Sequence, residues 1–278
     1  MTTPFKAACV QHCAGLDQDA NLAVLARLIG AAATDGADLI CLPEYCACYG
    51  MQNGGFEVGA EPEADHAALR FLADQARQHA RWLLIGSIAI RLDDGRICNR
   101  SYLLDPKGTV QAYYDKVHLF DVDLAGGESY RESATIKPGE TAVVAPTPLA
   151  RLGLSICYDV RFPQLYRALA KAGAKVLLVP AAFTRQTGKA HWHLLLRARA
   201  IENACFVIAA SQCGDADGKL ARFGHSLIVD PWGEVLADGG ETEGVVAADL
   251  DLERIATARR RIPALEHDRV FEVQAPKA

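Results

Sequence analysis

The sequence predicts an α/β protein in which two mixed β-sheets pack face to face between outer layers of helices, a four-layer α-β-β-α sandwich. Three observations support this prediction. Strands and helices alternate in each half of the chain, each half then continues into strands without helices, and no linker or short repeat separates the halves. A doubly wound open sheet is the alternative, but the run of hairpins argues against it. We expect residues 1–278 to form one domain.

The first half of the chain reads as two strand–helix units followed by consecutive strands. The strands are apolar runs that end at turn residues, and the helices show apolar residues at a spacing of three and four. The turn sequences DDGR and DPKG separate the last three strands. The predicted strands cover residues 5–11, 37–44, 82–92, 97–105 and 109–116, and the predicted helices cover 19–33 and 62–80.

The second half follows a long irregular stretch at 118–139 and repeats the strand–helix alternation. Its first helix carries Pro163 in the first turn, where proline is tolerated because the missing N–H has no helical partner. A short basic helix precedes the tail. The predicted strands cover 152–159, 174–180, 205–212, 224–231 and 244–251, and the predicted helices cover 161–173, 191–203 and 252–261.

Composition excludes several classes of function. The net charge is -5 and the pI is about 5.9, so no basic surface for nucleic acid is indicated. No apolar run approaches the roughly 18 residues of a membrane span. The nine cysteines are odd in number and irregularly spaced, which together with the absence of an export signal favours a reduced, cytoplasmic protein. Cys41, Cys46 and Cys48 lack the paired spacing and nearby histidine of a zinc site, so we expect no metal.

Three reactive side chains share one kind of position in the predicted fold. Glu44, Lys116 and Cys157 each lie at the end of a predicted strand. Sites in α/β proteins form outside the carboxyl ends of strands. If the three strands are parallel neighbours, an acid, an ammonium and a thiol meet in one pocket.

These residue types together form a nucleophilic site. Glu44 can remove the thiol proton of Cys157, and Lys116 can stabilise first the thiolate and then an oxyanion. The backbone N–H of Tyr158, next to a helix N-terminus, is a second candidate oxyanion donor. Taken singly, the cysteine reads as inert packing, the glutamate as a helix cap and the lysine as a surface residue. Only their coincidence favours catalysis.

Three segments in order resemble the signature segments of the nitrilase, or carbon–nitrogen hydrolase, superfamily: LPEY at 42–45, YDKVHLFD at 114–121 and GLSICYDVRFPQLYR at 153–167. The resemblance implies a catalytic triad of Glu44, Lys116 and Cys157, an α-β-β-α fold, and pairing into dimers or larger assemblies. It also implies a second glutamate in the loop after the lysine. Glu132 occupies the expected place, and Glu128 is a nearby competitor.

The segments TGKAHWHLLLRARAIENACFVIAASQCG and FGHSLIVDPWG resemble the amidase branch of this superfamily that contains deaminated-glutathione amidase and ω-amidase. The implied reaction is hydrolysis of a small carboxylate-bearing amide through a thioester, with deaminated glutathione giving 2-oxoglutarate and cysteinylglycine. The alternatives are α-ketoglutaramate, or another aliphatic amide or N-carbamoyl substrate. No cofactor is implied, and the expected partner is a small-molecule amide.

A carboxylate-bearing substrate calls for cations and donors in the loops around the site. Arg131 and Arg185 are candidate cations, and Tyr49 and Phe183 are candidate walls because they follow strand ends. The two arginines could equally be solvated surface charges, and the two aromatic residues could equally be part of the core.

The sequence disfavours three other functions. A papain-like pair of Cys157 with one of His118, His191, His193 or His225 lacks a local signature for the orienting third group. An oxidoreductase lacks a Gly-x-Gly-x-x-Gly segment after a strand. A scaffold without catalysis is disfavoured because all triad positions are filled.

Overall fold

The computed structural model describes residues 4–52, 55–124, 129–216, 218 and 220–274. The described chain forms two large sheets, three short hairpins and five α-helices. The strands are β1 Phe5–Gln11, β2 Leu39–Cys41, β3 Gly50–Gln52, β4 Gly55–Glu57, β5 Glu61–Pro62, β6 Trp82–Arg91, β7 Ile97–Leu104, β8 Val110–Asp115, β9 Asp121–Asp123, β10 Ser129–Arg131, β11 Val143–Pro146, β12 Arg151–Leu154, β13 Val176–Leu178, β14 Phe206–Ala209, β15 Cys213–Gly214, β16 Arg222–Phe223, β17 Leu227–Val229, β18 Val235–Asp238 and β19 Gly244–Leu250.

The first four helices lie on the outer faces of the two sheets. The first sheet has the order β19-β1-β2-β6-β7-β8 with β5 beside β6, and the second has the order β11-β12-β13-β14-β17-β18. The first two helices pack on the first sheet, and the next two pack on the second. The helices are α1 Gln18–Thr34, α2 Ala67–His79, α3 Pro163–Lys171, α4 Arg185–Asn203 and α5 Glu253–Arg261.

The alternation of side chains along β1 shows how the sheets are layered. Ala7 and Cys9 join the apolar cluster that also contains Leu152 and Val207 of the second sheet. Ala8 and Val10 point the other way, into the cluster formed with Leu25 of α1 and Leu72 of α2. Successive residues of a strand face opposite sides of the sheet, so β1 is apolar on both faces. The fold is therefore the predicted α-β-β-α sandwich.

The predicted elements are present, with shifted ends. Helix α4 begins at Arg185, six residues before the predicted start, and Thr184 caps it by accepting a hydrogen bond from the backbone N–H of Thr187. Gly188 in its second turn obscures this start, since glycine disfavours helix interiors. The fold requires glycine there, because a Cβ would lie 2.3 Å from the Phe223 side chain.

Two edge strands of the second sheet, β11 and β18, were not predicted. Both pair on one side only, and their residues are largely exposed or half-buried, so neither shows a strong apolar run. The predicted strand at 37–44 narrows to β2, and the one at 152–159 ends at Leu154 before a short 3₁₀ turn, Cys157–Arg161. Among the described helices, none combines the length and apolarity that crossing a membrane requires.

Candidate active site

One cavity is lined by all four predicted catalytic side chains, Glu44, Lys116, Glu132 and Cys157. Glu44 follows β2 by three residues, and Lys116 directly follows β8. These strands belong to the same sheet, but β6 and β7 separate them, and β12 before Cys157 lies in the facing sheet. The expectation that the three strands are neighbours is therefore wrong. The side chains converge because the two sheets face each other.

The Lys116 ammonium lies between two buried carboxylates. Its Nζ donates to Glu44 Oε1 at 2.9 Å and to Glu132 Oε2 at 2.8 Å, and the lysine side chain is only 2% exposed. Burial opposes the charged form of the lysine. The two carboxylates outweigh this effect and hold the pKa of Lys116 well above its ordinary value. The lysine is therefore a fixed cation and not a base at neutral pH.

Further donors fix the orientation of Glu44. Asn99 Nδ2 donates to Glu44 Oε1 at 3.0 Å, and the backbone N–H of Ala182 donates to Oε2 at 2.9 Å. Gln212 Nε2 donates to the backbone carbonyl of Glu44 at 3.0 Å. The carboxylate is thus tied to both sheets, because Asn99 lies on β7 and Ala182 follows β13.

Glu132 is held in the same way. The backbone N–H of Phe120 donates to Glu132 Oε2 at 2.7 Å, and the Tyr45 hydroxyl donates to Oε1 at 3.3 Å. Glu132 opens a short 3₁₀ turn and is buried. Its place beside Lys116 agrees with the position expected for the second glutamate. The competitor Glu128 lies outside the described residues.

Cys157 sits in a strained backbone conformation. Its φ is +49°, in the left-handed region that side chains other than glycine rarely adopt. Its backbone N–H donates to the carbonyl of Pro180 at 2.8 Å. Burial is the main reason that the pKa of the Cys157 thiol lies well above its usual range, and the nearby Glu44 carboxylate adds to it while Lys116 opposes it. The resting thiol is therefore protonated.

Asp159 anchors the turn that carries Cys157. Its Oδ2 accepts from the backbone N–H of Ile156 at 2.8 Å and from the Tyr114 hydroxyl at 2.7 Å. Its Oδ1 accepts from the backbone N–H of His118 at 3.0 Å and from Nδ1 of the same histidine at 2.7 Å. The carboxylate is fully buried, so these four bonds satisfy it. His118 therefore serves this turn.

Aromatic rings form one wall of the cavity. Tyr45 stacks on Tyr49 at 5.1 Å between ring centroids, and Tyr49 stacks on Phe56 at 5.7 Å. Tyr158 and Phe183 line the cavity as well, and the guanidinium of Arg161 lies 5.7 Å and 5.3 Å from their ring centroids. The cavity thus combines aromatic walls with the charged side chains of Glu44, Lys116 and Glu132, and Arg161 lies behind two of the rings.

The structure separates the candidate substrate-binding residues into two groups. Tyr49 and Phe183 line the cavity, as does Tyr158, the candidate oxyanion donor. The two arginines point to solvent instead. Arg131 is paired with Asp123, and Arg185 is paired with Glu241.

The sequence did not predict several groups that hold the site: the side chains of Tyr45, Asn99, Asp159 and Gln212 and the backbone N–H groups of Phe120 and Ala182. Asp159 lies inside the third signature segment, so its buried acceptor role had a signal in the spacing from Cys157. Asn99 and Gln212 had none, because their contacts are made only after the sheets pack together.

The chain belongs to the carbon–nitrogen hydrolase family, whose model matches residues 6–260. This family membership makes it a hydrolase of carbon–nitrogen bonds. It is 42% identical over 272 residues to a deaminated glutathione amidase of Synechocystis sp. (strain PCC 6803 / GT-S), covering 96% of this chain and 99% of the relative. It is 37% identical over 269 residues to the omega-amidase NIT2 of Homo sapiens, covering 96% of each.

Solved structures give the same family. The C. elegans NitFhit protein matches with a TM-score of 0.86 and 35% identity over 96% of this chain and 66% of that one. Saccharomyces cerevisiae Nit3, described as a member of branch 10 of the nitrilase superfamily, matches with a TM-score of 0.82 and 31% identity over 94% of each chain.

Proposed function

We propose that this protein is a cysteine amidase in which Cys157 is the nucleophile, Glu44 the general base and Lys116 the electrostatic stabiliser. The observation that carries the proposal is the arrangement of the ammonium between Glu44 and Glu132, in the cavity that Cys157 also lines. A protonated thiol next to a carboxylate needs only a proton transfer to become a nucleophile.

The proposed reaction has two halves. Glu44 takes the proton of the Cys157 thiol, and the sulfur attacks the amide carbonyl carbon. Lys116 and the backbone N–H of Tyr158 stabilise the oxyanion of the tetrahedral intermediate. The C–N bond breaks as Glu44 returns the proton to the departing amine, which leaves a thioester on Cys157. Water then attacks the thioester with Glu44 again as base, and the carboxylate product leaves with the thiol regenerated.

Glu132 has a positioning role in this scheme. Both of its carboxylate oxygens accept hydrogen bonds from the Lys116 ammonium. With two carboxylates on one ammonium, the lysine keeps its charge throughout the cycle. The oxyanion therefore meets a cation that needs no reorganisation.

Deaminated glutathione is the substrate we favour, giving 2-oxoglutarate and cysteinylglycine. The support comes from the relatives named as deaminated glutathione amidases and from the cavity walls. The guanidinium of Arg161 beside Tyr158 and Phe183 offers a partner for a substrate carboxylate. Phe56, one ring beyond Tyr49, offers apolar contact for a leaving group larger than ammonia.

The second candidate is ω-amidase activity on α-ketoglutaramate, which the relative named omega-amidase NIT2 favours. The two substrates share one acyl group and differ in the amine that leaves. The part of the cavity that receives the leaving amine must therefore distinguish deaminated glutathione from α-ketoglutaramate. Another aliphatic amide or an N-carbamoyl amino acid is the remaining alternative within the family.

A substrate panel tests the proposal. Deaminated glutathione, α-ketoglutaramate, an N-carbamoyl amino acid and a nitrile are compared by kcat/KM, with Cys157→Ala as the inactive control. We expect deaminated glutathione to rank first, and Phe56→Ala to lower its kcat/KM more than that of α-ketoglutaramate. A top rank for α-ketoglutaramate would select the ω-amidase instead. Full activity in Cys157→Ala would reject the cysteine mechanism.

We also propose a cytoplasmic homodimer or larger homo-oligomer in which residues 1–278 act as one catalytic domain. Both sheets supply the cavity, which supports a single functional unit. Eight of the nine cysteines are buried thiols, which suits a reducing compartment. Leu194 and Ile201 on α4 are exposed, and Ile201 packs next to Gly233, beside the exposed Trp232. Such an apolar face is typical of an interface.

A further inference from the structure

A second cluster of ligating side chains lies outside the cavity. Of the residues that the structure describes, His193, His225 and Asp238 form a group whose ligand atoms all lie within 4.8 Å of one another. They come from three elements of the second half of the chain: α4, the segment between β16 and β17, and the end of β18. None of the three lines the cavity that holds Cys157.

The carboxylate of Asp238 joins the two imidazoles. His193 Nε2 lies 3.0 Å from Asp238 Oδ2, and His225 Nδ1 lies 2.8 Å from Asp238 Oδ1. Each carboxylate oxygen therefore contacts one ring nitrogen, and a bound cation would replace the protons that these hydrogen bonds share. Two imidazoles and one carboxylate are a ligand set found in zinc and other transition-metal sites.

The ligands are held by contacts of their own. His225 has a φ of +53°, a conformation that side chains other than glycine seldom adopt, and its ring stacks on Phe223 at 4.5 Å between centroids. The indole N–H of Trp192 donates to the backbone carbonyl of His225, and the N–H of Gly240 donates to Asp238 Oδ1. Strain that the surroundings maintain is typical of functional positions, and such supporting contacts orient ligands.

We propose that His193, His225 and Asp238 bind one divalent first-row transition-metal ion of the Zn²⁺ class, with the remaining coordination position open to water. Two ligand atoms on one zinc lie at most about 4.2 Å apart, given bonds of about 2.1 Å. The three side chains reach this by small rotations, because all three are partly exposed. Protons compete for the imidazole nitrogens, so affinity falls as the pH falls.

Metal binding to the chelator-treated full-length protein tests this site. Isothermal titration with Zn²⁺ should give one equivalent per chain, and His193→Gln and Asp238→Asn should each weaken it by roughly tenfold or more, since even the loss of an orienting group costs that much. His191→Gln is the matched control, because it removes an imidazole two residues away on the same helix. It should leave the affinity unchanged.

Spectroscopy with Co²⁺ separates this site from binding to thiols. The expected spectrum has ligand-field bands from nitrogen and oxygen ligands and lacks a thiolate charge-transfer band. The proposal is overturned if that band accompanies the titrated equivalent, or if a His193→Gln/His225→Gln double variant binds Zn²⁺ as tightly as the wild type. Saturating Zn²⁺ should also raise the Tm of the wild type and not that of the double variant.

Discussion

At the scale of single residues, the resting protonation state of Cys157 decides how the proposed nucleophile would form. Burial and the Glu44 carboxylate both raise the pKa of the thiol, whereas Lys116 lowers it by a smaller amount. A thiol that keeps its proton is inert until a base removes it. The carboxylate that makes the thiolate unfavourable at rest is thus the one proposed to accept its proton during attack.

Glu44→Gln should separate thiol acidity from activity. Removing the carboxylate lowers the pKa of Cys157, so its alkylation by iodoacetamide should rise at a lower pH than in the wild type. The amidase kcat should nevertheless fall by about 10²–10⁴-fold, the usual contribution of a general base. Peptide-resolved mass spectrometry across pH measures the first effect, with Cys205 as internal control. If the alkylation of Cys157 in Glu44→Gln rose only at a higher pH than in the wild type, this account would be contradicted.

Lys116→Met should destabilise the fold as well as abolish activity. The substitution leaves Glu44 and Glu132 buried next to each other without their shared cation. Breaking a buried ion pair on one side costs about 3–5 kcal/mol of unfolding free energy. Urea denaturation measures the loss, and Lys107→Met on an exposed turn is the matched control. An unfolding free energy equal to that of the control would disprove the proposed pairing.

At the scale of elements, the turn after β12 is the part that places the sulfur. Its left-handed backbone at Cys157 persists because the carboxylate of Asp159 accepts four hydrogen bonds, from Ile156, Tyr114 and twice from His118. Tyr114 belongs to β8 of the first sheet. The turn of one sheet is therefore held by a strand of the other.

Asp159→Asn should lower both the free energy of unfolding and kcat. The substitution replaces one carboxylate oxygen, which accepts two hydrogen bonds, with an NH₂ group, which can only donate. Tyr114→Phe removes one of the four bonds and should cost about 1.5–3 kcal/mol, the usual worth of a hydrogen bond to a charged group. Tyr113→Phe on the neighbouring exposed position is the control. We expect the losses to rank Asp159→Asn, Tyr114→Phe, Tyr113→Phe in urea unfolding. Equal losses in all three would refute the anchoring role.

The elements also show what the sequence could reveal. Apolar periodicity predicted the central strands and every helix, because burial requires those patterns. It missed the edge strands β11 and β18, whose residues are not buried on both faces. The sequence located Glu44, Lys116 and Cys157 by their strand ends, but their assignment to facing sheets depends on packing. The roles of Asn99 and Gln212 could not be predicted either, because their contacts with Glu44 form only when distant parts of the chain pack together.

At the scale of the whole molecule, helix α4 and the turn beside it expose large apolar side chains. Leu194 is 70% exposed, and Ile201 and Trp232 are each 51% exposed. Large apolar side chains concentrated on one face favour association, because association removes them from water.

Leu194→Glu and Ile201→Glu together should convert the proposed dimer into a monomer, since two carboxylates would be buried without cations. Sedimentation equilibrium measures the mass. Val110→Glu, which places the same charge at an exposed apolar position on β8, should leave the dimer intact. A dimer that survives the double substitution would exclude this face as the interface.

The dependence of Glu44 on both sheets has a consequence for synthesis of the chain. Its side chain is held by Ala182, 138 residues later, and its backbone by Gln212, 168 residues later. On the ribosome, Cys157 therefore emerges before two of the groups that orient Glu44, its proposed base. A product truncated before Gln212 should therefore lack the proposed amidase activity even though it contains Glu44, Lys116 and Cys157.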